Sequence, residues 1–134
     1  MNTQFLQQAK GTIAYDDRGS GPLVLCLPSM GDLRAEYRFL IPQLVAAGYR
    51  VVSMDVRGHG ESSINWPNYA VDAIGSDLLA LIRALNAGPA LVIGASMAAG
   101  ATVWAAAEAP DLIAGMVLIG PFVRGEGSWL SNLL

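Results

Sequence analysis

The chain has 134 residues, of which 53% are hydrophobic and 14% charged, and its formal net charge is −3. This length accommodates one domain and excludes two, while the acidic balance argues against nucleic acid or a membrane surface as a partner. No apolar segment approaches the roughly 20 residues that span a bilayer. The N-terminus shows no signal-peptide pattern and the single Cys26 cannot form an internal disulfide, so we expect a cytoplasmic protein.

Apolar runs alternate with helical patterns along the chain. Because the apolar runs lack polar alternation, they are typical of strands buried on both faces of a sheet. The pattern predicts one α/β domain over residues 1–134, with a mostly parallel sheet and helices on both faces. Strands are predicted at residues 12–17, 23–27, 50–56, 90–95 and 113–119, and helices at residues 34–47, 71–85 and 97–107.

One strand–turn–helix segment carries a candidate nucleophile. Gly94-Ala95-Ser96-Met97-Ala98 places a serine at the apex of a tight turn, between a buried strand and an alanine-rich helix. A hydroxyl becomes a useful nucleophile when it is exposed and lies near donors for the developing oxyanion. The alternative is a serine that only caps the helix that follows it.

The segment resembles the nucleophile elbow of the α/β-hydrolase fold family, G-x-S-x-G, with Ala98 in place of the second glycine. Residues 48–62, Gly-Tyr-Arg-Val-Val-Ser-Met-Asp-Val-Arg-Gly-His-Gly-Glu-Ser, are similar to the strand and turn that the family carries as G-Y-x-V-x-x-x-D-x-R-G-x-G-x-S. The resemblance covers about residues 12–124. It implies that Ser96 is the nucleophile and that the backbone amides of Met30 and Met97 form the oxyanion hole. Pro28-Ser29 stands where the family has His-Gly.

The chain contains a single histidine, His59, and it lies in the Arg-Gly-His-Gly turn. The resemblance implies a structural role for this turn, with Asp55 and Arg57 as a pair that braces it. His59 nevertheless remains the candidate general base, because no other histidine is present. No cluster of residues has metal-ligand spacing, so we expect neither a metal nor a cofactor.

The resemblance also implies an acid and a histidine downstream of the nucleophile, and this sequence matches neither. Glu108, Asp111 and Glu126 are the carboxylates after Ser96. Glu108 and Asp111 do not match the position of the family's acid; Glu126 follows the last strand, close to where some members carry the acid, but in a Gly-rich loop that resembles the start of a lid. Residues 125–134 are interpreted as the opening of a lid. We therefore expect a truncated α/β-hydrolase fold, either as a fragment of a longer hydrolase or as a chain that forms a homo-oligomer through strand 113–119 and the C-terminal tail.

Two functions remain open from the sequence. The first is a serine hydrolase that acts on small-molecule ester or acyl substrates, with weak or promiscuous activity because the acid and histidine are missing. The second is a catalytically inactive hydrolase fragment or an oligomerising module without enzymatic activity.

Overall fold

A computed structural model of the chain describes residues 3–120, which contain one six-stranded sheet. The sheet order is β1-β2-β4-β3-β5-β6. The strands are β1 (Gln4–Gln8), β2 (Gly11–Arg18), β3 (Leu23–Leu27), β4 (Arg50–Met54), β5 (Ala90–Ala95) and β6 (Ile113–Ile119). The α-helices are α1 (Leu40–Ala46), α2 (Val71–Leu85) and α3 (Met97–Glu108), and a 3₁₀ helix covers Arg34–Tyr37.

The sheet is mostly parallel, and the loops that follow β3, β4 and β5 lie at one edge of it. β3 pairs in parallel with β4 and β5, and β5 pairs in parallel with β6. The hairpin of β1 and β2 is antiparallel, as is its junction with β4. The carboxyl ends of β3, β4 and β5 therefore meet at the same edge, where ligands bind in open α/β sheets.

Helices cover both faces of the sheet, as the sequence predicted. Residues Leu23, Leu25 and Leu27 of β3 pack on the side of α2 and α3, whereas Val24 and Cys26 pack on the side of α1. This alternation follows from the period of two along a strand. The apolar content of β3 on both faces is thus explained by two hydrophobic layers, one on each side of the sheet.

The predicted elements agree with the structure except near the N-terminus and around α1. The predictions for β3, β5, β6 and α2 are confirmed to the residue, and those for β2, β4 and α3 within one or two residues. β1 was not predicted. The single helix expected over residues 34–47 was wrong, because the structure has a 3₁₀ helix and a separate α1 in that range.

Strand β6 is an edge strand within residues 3–120, with only β5 beside it. Three of its apolar side chains are 43–50% exposed, namely Met116, Val117 and Ile119. The expectation of an exposed apolar edge is therefore confirmed for the described residues. The interpretation of residues 125–134 as a lid, like Glu126, lies outside them. None of the described helices is long and apolar enough to cross a membrane.

Candidate active site

Ser96 lies in a strained turn between β5 and α3. Its backbone has φ 55° and ψ −120°, a combination that L-residues avoid and that persists only when the surrounding structure enforces it. The Ser96 amide donates to the Ile119 carbonyl at 2.8 Å, which extends the pairing of β5 with β6 past the end of β5. The turn leaves Ser96 exposed while Ala95 and Ala98 beside it are buried.

The small residues around Ser96 are required by close packing of β5 against α3. A Cβ atom at Gly94 would lie 2.6 Å from Thr102 Oγ1 and 2.8 Å from the Ala98 carbonyl oxygen. Thr102 and Ala98 are themselves joined by a hydrogen bond of 2.8 Å from the threonine hydroxyl to that carbonyl. Strand and helix therefore approach so closely that the turn between them must be sharp.

The Ser96 hydroxyl makes no hydrogen bond with any residue in the range 3–120. In particular, it does not cap α3, which has no side-chain cap hydrogen bond at its N-terminus. The helix-capping alternative from the sequence is therefore not supported by the geometry. The Met97 amide is in the first turn of α3, where no intrahelical acceptor exists, and it donates to no described residue.

The loop after β3 forms a β-turn beside this edge of the sheet. The Asp32 amide donates to the Ser29 carbonyl at 3.0 Å, so Met30 and Gly31 occupy the central positions. Gly31 has φ +86°, the conformation that a type II turn demands of its third residue and that glycine adopts without strain. Met30 is 39% exposed.

The Met30 amide is the one N–H in residues 29–33 that donates to no described group. The Ser29 amide approaches the Glu36 carboxylate at 3.3 Å, and the Gly31 amide donates to His59 Nε2 at 2.9 Å. The Asp32 and Leu33 amides donate to the Ser29 carbonyl and to the Asp32 carboxylate. The Met30 amide, which the family resemblance predicts as an oxyanion donor, is therefore unpaired, whereas the Ser29 and Gly31 amides on either side of it both have an acceptor.

His59 is held by two hydrogen bonds that define its tautomer. Its Nδ1 lies 3.1 Å from the Arg57 carbonyl oxygen, which can only accept, so Nδ1 carries the proton. Its Nε2 then holds the lone pair, and this lone pair accepts from the Gly31 amide. No hydrogen bond joins His59 to Ser96 in the described structure. This geometry does not support His59 as the general base.

Asp55 and Arg57 do not pair with each other, contrary to the sequence interpretation. Arg57 forms a two-point ion pair with the fully buried Asp77, at 2.7 and 2.8 Å, and its guanidinium stacks 4.1 Å from the centre of the Trp66 ring. Asp55 accepts instead from the Arg34 guanidinium and, at 2.8 Å, from the Arg34 amide. Both residues brace the turn, but each does so through a partner from a distant part of the chain.

Arg34 holds three carboxylates at the carboxyl edge of the sheet. It contacts Asp55, Asp16 at 3.0 Å and Glu61 at 2.6 Å, and a cavity of about 250 Å³ adjoins this cluster. No group of three metal-binding side chains among the described residues could hold an ion. Arg34 opens the 3₁₀ helix, and Asp55 and Glu61 follow β4, so their ion pairs with Arg34 fix the 3₁₀ helix against the turn after β4.

Two other titratable groups are structural. Burial raises the pKa of the Cys26 thiol from 9.0 to about 12, so this thiol stays protonated and unreactive at neutral pH. Burial, followed by the nearby Glu36 charge, raises the pKa of Tyr37, whose hydroxyl donates to the Leu27 carbonyl at 2.6 Å. Both groups belong to the hydrophobic layer on the side of α1.

Comparison with known proteins agrees with this architecture. A family model described as alpha/beta hydrolase fold matches residues 22–133. This match covers well over half of the chain and includes the elbow, the turn after β4 and the loop after β3. The chain belongs to the α/β-hydrolase fold family.

Two hydrolases are among the proteins with a similar sequence. The chain is 32% identical to 2-(acetamidomethylene)succinate hydrolase of Mesorhizobium japonicum over 86% of this chain and 42% of that protein. It is 34% identical to epoxide hydrolase B of Mycobacterium tuberculosis over 80% of this chain and 31% of that protein. The chain thus spans between about a third and two fifths of the length of these curated relatives.

Solved structures show the same backbone arrangement. A hydrolase from Pseudomonas aeruginosa superimposes with a TM-score of 0.87 at 29% identity, over 98% of this chain and 51% of that one. A bromoperoxidase from Bacillus anthracis does so with a TM-score of 0.83 at 31% identity, over 90% and 45%.

Proposed function

We propose that the chain carries the nucleophile and oxyanion half of a serine hydrolase that acts on small-molecule ester or related acyl substrates. The observation that supports this most is the strained, exposed Ser96, whose hydroxyl is free of any described partner at the start of α3. Strain at a residue that the surrounding structure over-determines is typical of functional sites. A hydroxyl nucleophile, as opposed to a carboxylate, favours acyl transfer.

In the proposed reaction Ser96 Oγ adds to the carbonyl carbon of the substrate. The carbonyl oxygen becomes an oxyanion, for which the unpaired Met30 and Met97 amides are the proposed donors. Collapse of this intermediate expels the alcohol and leaves an acyl-serine, which water then hydrolyses. The positive end of α3 adds to the stabilisation of the developing negative charge.

The proton of the Ser96 hydroxyl needs an acceptor that residues 3–120 do not supply. His59 Nε2 already accepts from Gly31, and no other described side chain bonds to Ser96. The acceptor in the proposal is therefore solvent water or a group outside that range. Turnover by this chain alone is expected to be slow, because oxyanion stabilisation and binding without a triad leave a residual acceleration of roughly 10³–10⁴ over water in serine proteases.

Hydrolysis of p-nitrophenyl acetate and butyrate tests the proposal. We expect slow turnover by the wild-type chain that falls to the buffer rate in Ser96→Ala. Ser20→Ala, which removes another exposed serine, is the matched control and should retain the wild-type rate. Equal rates for wild type and Ser96→Ala would contradict the proposal.

A second candidate function is a binding module that associates with itself and has no catalytic role. The exposed apolar side chains of β6 favour it, because an unpaired edge strand invites pairing with another chain. Light scattering should then give the mass of a homo-oligomer for the wild type and a monomer for Val117→Lys. Val103→Lys, at an exposed site on α3, should keep the wild-type mass. A monomeric wild type, or a Val117→Lys variant of unchanged mass, would refute this association.

A further inference from the structure

The turn after β3 and the turn after β4 are joined by one side-chain hydrogen bond. His59 Nε2 accepts from the Gly31 amide at 2.9 Å, while Nδ1–H donates to the Arg57 carbonyl in its own turn. Only the neutral imidazole with its proton on Nδ1 can make both bonds. Arg57 is in turn fixed by the buried Asp77, so the imidazole is anchored on a rigid support.

The bond falls on the peptide that defines the type of turn. In a β-turn closed from Ser29 to Asp32, the peptide between Met30 and Gly31 is the central one. Type I and type II turns differ mainly in a flip of this peptide. The Gly31 N–H direction therefore reports which turn is formed, and His59 is the group that accepts it.

The opposite side of the same turn is held by Glu36. Its carboxylate accepts from the Ser29 hydroxyl at 2.8 Å and lies 3.3 Å from the Ser29 amide. The side chains of Glu36 and His59 thus hold the residues on either side of Met30. The Met30 N–H shares a peptide with the Ser29 carbonyl, which accepts from the Asp32 amide, so the free N–H points away from that closing bond.

We infer that His59 is a positioning residue: by accepting from the Gly31 amide it stabilises the turn whose closing bond, from the Asp32 amide to the Ser29 carbonyl, orients the Ser29–Met30 peptide and with it the Met30 N–H as an oxyanion donor. This inference rests on the proposed function, since it gives the sole histidine a part in the same site. His59 moves no proton in this role. The lone pair of His59 Nε2 accepts from the Gly31 amide and is therefore not available to accept the proton of Ser96.

A nuclear magnetic resonance experiment tests the hydrogen bond without any need for activity. Long-range ¹H–¹⁵N correlations report the His59 tautomer, and magnetisation transfer from water reports the exchange rate of the Gly31 amide. We expect the Nδ1–H tautomer in the wild type and about fivefold faster Gly31 exchange in His59→Phe, as for loss of one ordinary hydrogen bond. His59→Gln, which offers a carbonyl oxygen in place of Nε2, should restore slow exchange. The other tautomer, or unchanged exchange in His59→Phe, would overturn the inference.

The rate at which Ser96 reacts with a fluorophosphonate measures how the loss of the His59 hydrogen bond affects the candidate site. Loss of an entire oxyanion donor slows serine proteases roughly 10²–10³-fold, and a loosened donor should cost less. We expect labelling about 3- to 30-fold slower in His59→Phe, with recovery in His59→Gln. Tyr69→Phe is the control, because the Tyr69 hydroxyl bonds to Ile64 and Trp66 next to the same turn and not to the loop after β3.

The two measurements separate the inference from the proposed function. Faster Gly31 exchange in His59→Phe with unchanged labelling would show a purely structural bond and would overturn the positioning role. A folded wild type that is not labelled at all would remove the proposed function and the positioning role together. In that case the exchange data would still decide whether His59 holds the turn.

Discussion

Replacement of Gly94 by alanine is expected to disturb the elbow through steric overlap. The new methyl carbon would lie 2.6 Å from Thr102 Oγ1 and 2.8 Å from the Ala98 carbonyl oxygen. Carbon–oxygen contacts are comfortable from about 3.3 Å outward, so strand and helix must separate by about half an ångström. The carbonyl belongs to the first turn of α3, and its displacement carries Ser96 with it. Overpacking of this kind destabilises proteins by about 1–3 kcal/mol.

Urea unfolding followed by tryptophan fluorescence measures this loss, and Gly115→Ala is the matched control. A Cβ atom at Gly115 meets only the end of the Leu91 side chain, at 3.0 Å, which can rotate away. We expect Gly115→Ala to change the free energy of unfolding by less than about 0.5 kcal/mol, and Gly94→Ala to lower it by about 1–3 kcal/mol. A Gly94→Ala variant as stable as Gly115→Ala would refute the steric reasoning.

Three further predictions concern stability. Ser96→Gly should raise the free energy of unfolding by about 1–2 kcal/mol in urea titrations, because glycine tolerates φ 55°. Ser96→Ala should leave the free energy of unfolding unchanged, and equal values for the two variants would contradict backbone strain at this residue. Asp77→Asn should lower the free energy of unfolding by about 3–5 kcal/mol, because Arg57 would stay buried without a counter-charge. Asp17→Asn removes one partner of a more exposed ion pair and should lower it by at most about 1 kcal/mol. Similar losses in the two variants would contradict this explanation. Cys26 should react with Ellman's reagent only upon unfolding. Its raised pKa predicts stability that is intact below pH 9 and falls as the pH rises toward 12, because the unfolded thiol ionises first; a flat profile there would contradict the buried thiol.

The sequence predicted the fold best where local pattern and tertiary environment agree. The buried strands Leu23–Leu27 and Ala90–Ala95 are apolar throughout, and the amphipathic pattern of Val71–Leu85 matches its two environments, core and solvent. The strand Gln4–Gln8 escaped prediction because its Gln-rich sequence has no strand signature. It forms through pairing with Gly11–Arg18, an interaction between segments that composition does not reveal.

In the candidate site, too, features set by the local sequence were predicted and contacts between distant segments were not. The spacing of small residues around Ser96 was sufficient to predict a strand–turn–helix, and the structure has one. The partners of Arg57 and His59 could not be predicted, because Asp77 and Gly31 lie 20 and 28 positions away along the chain. Arg34 was predicted to lie in a continuous helix over residues 34–47. In the structure it forms ion pairs with Asp55 and Asp16 and begins a 3₁₀ helix instead.

Covalent labelling decides whether Ser96 is a nucleophile in the folded chain. The folded wild-type chain is treated with a fluorophosphonate, digested, and mapped by mass spectrometry. We predict one adduct, on the peptide that contains Ser96, and no adduct in Ser96→Ala. A folded wild type without an adduct, or with adducts spread over several exposed serines, would contradict the proposed role of Ser96.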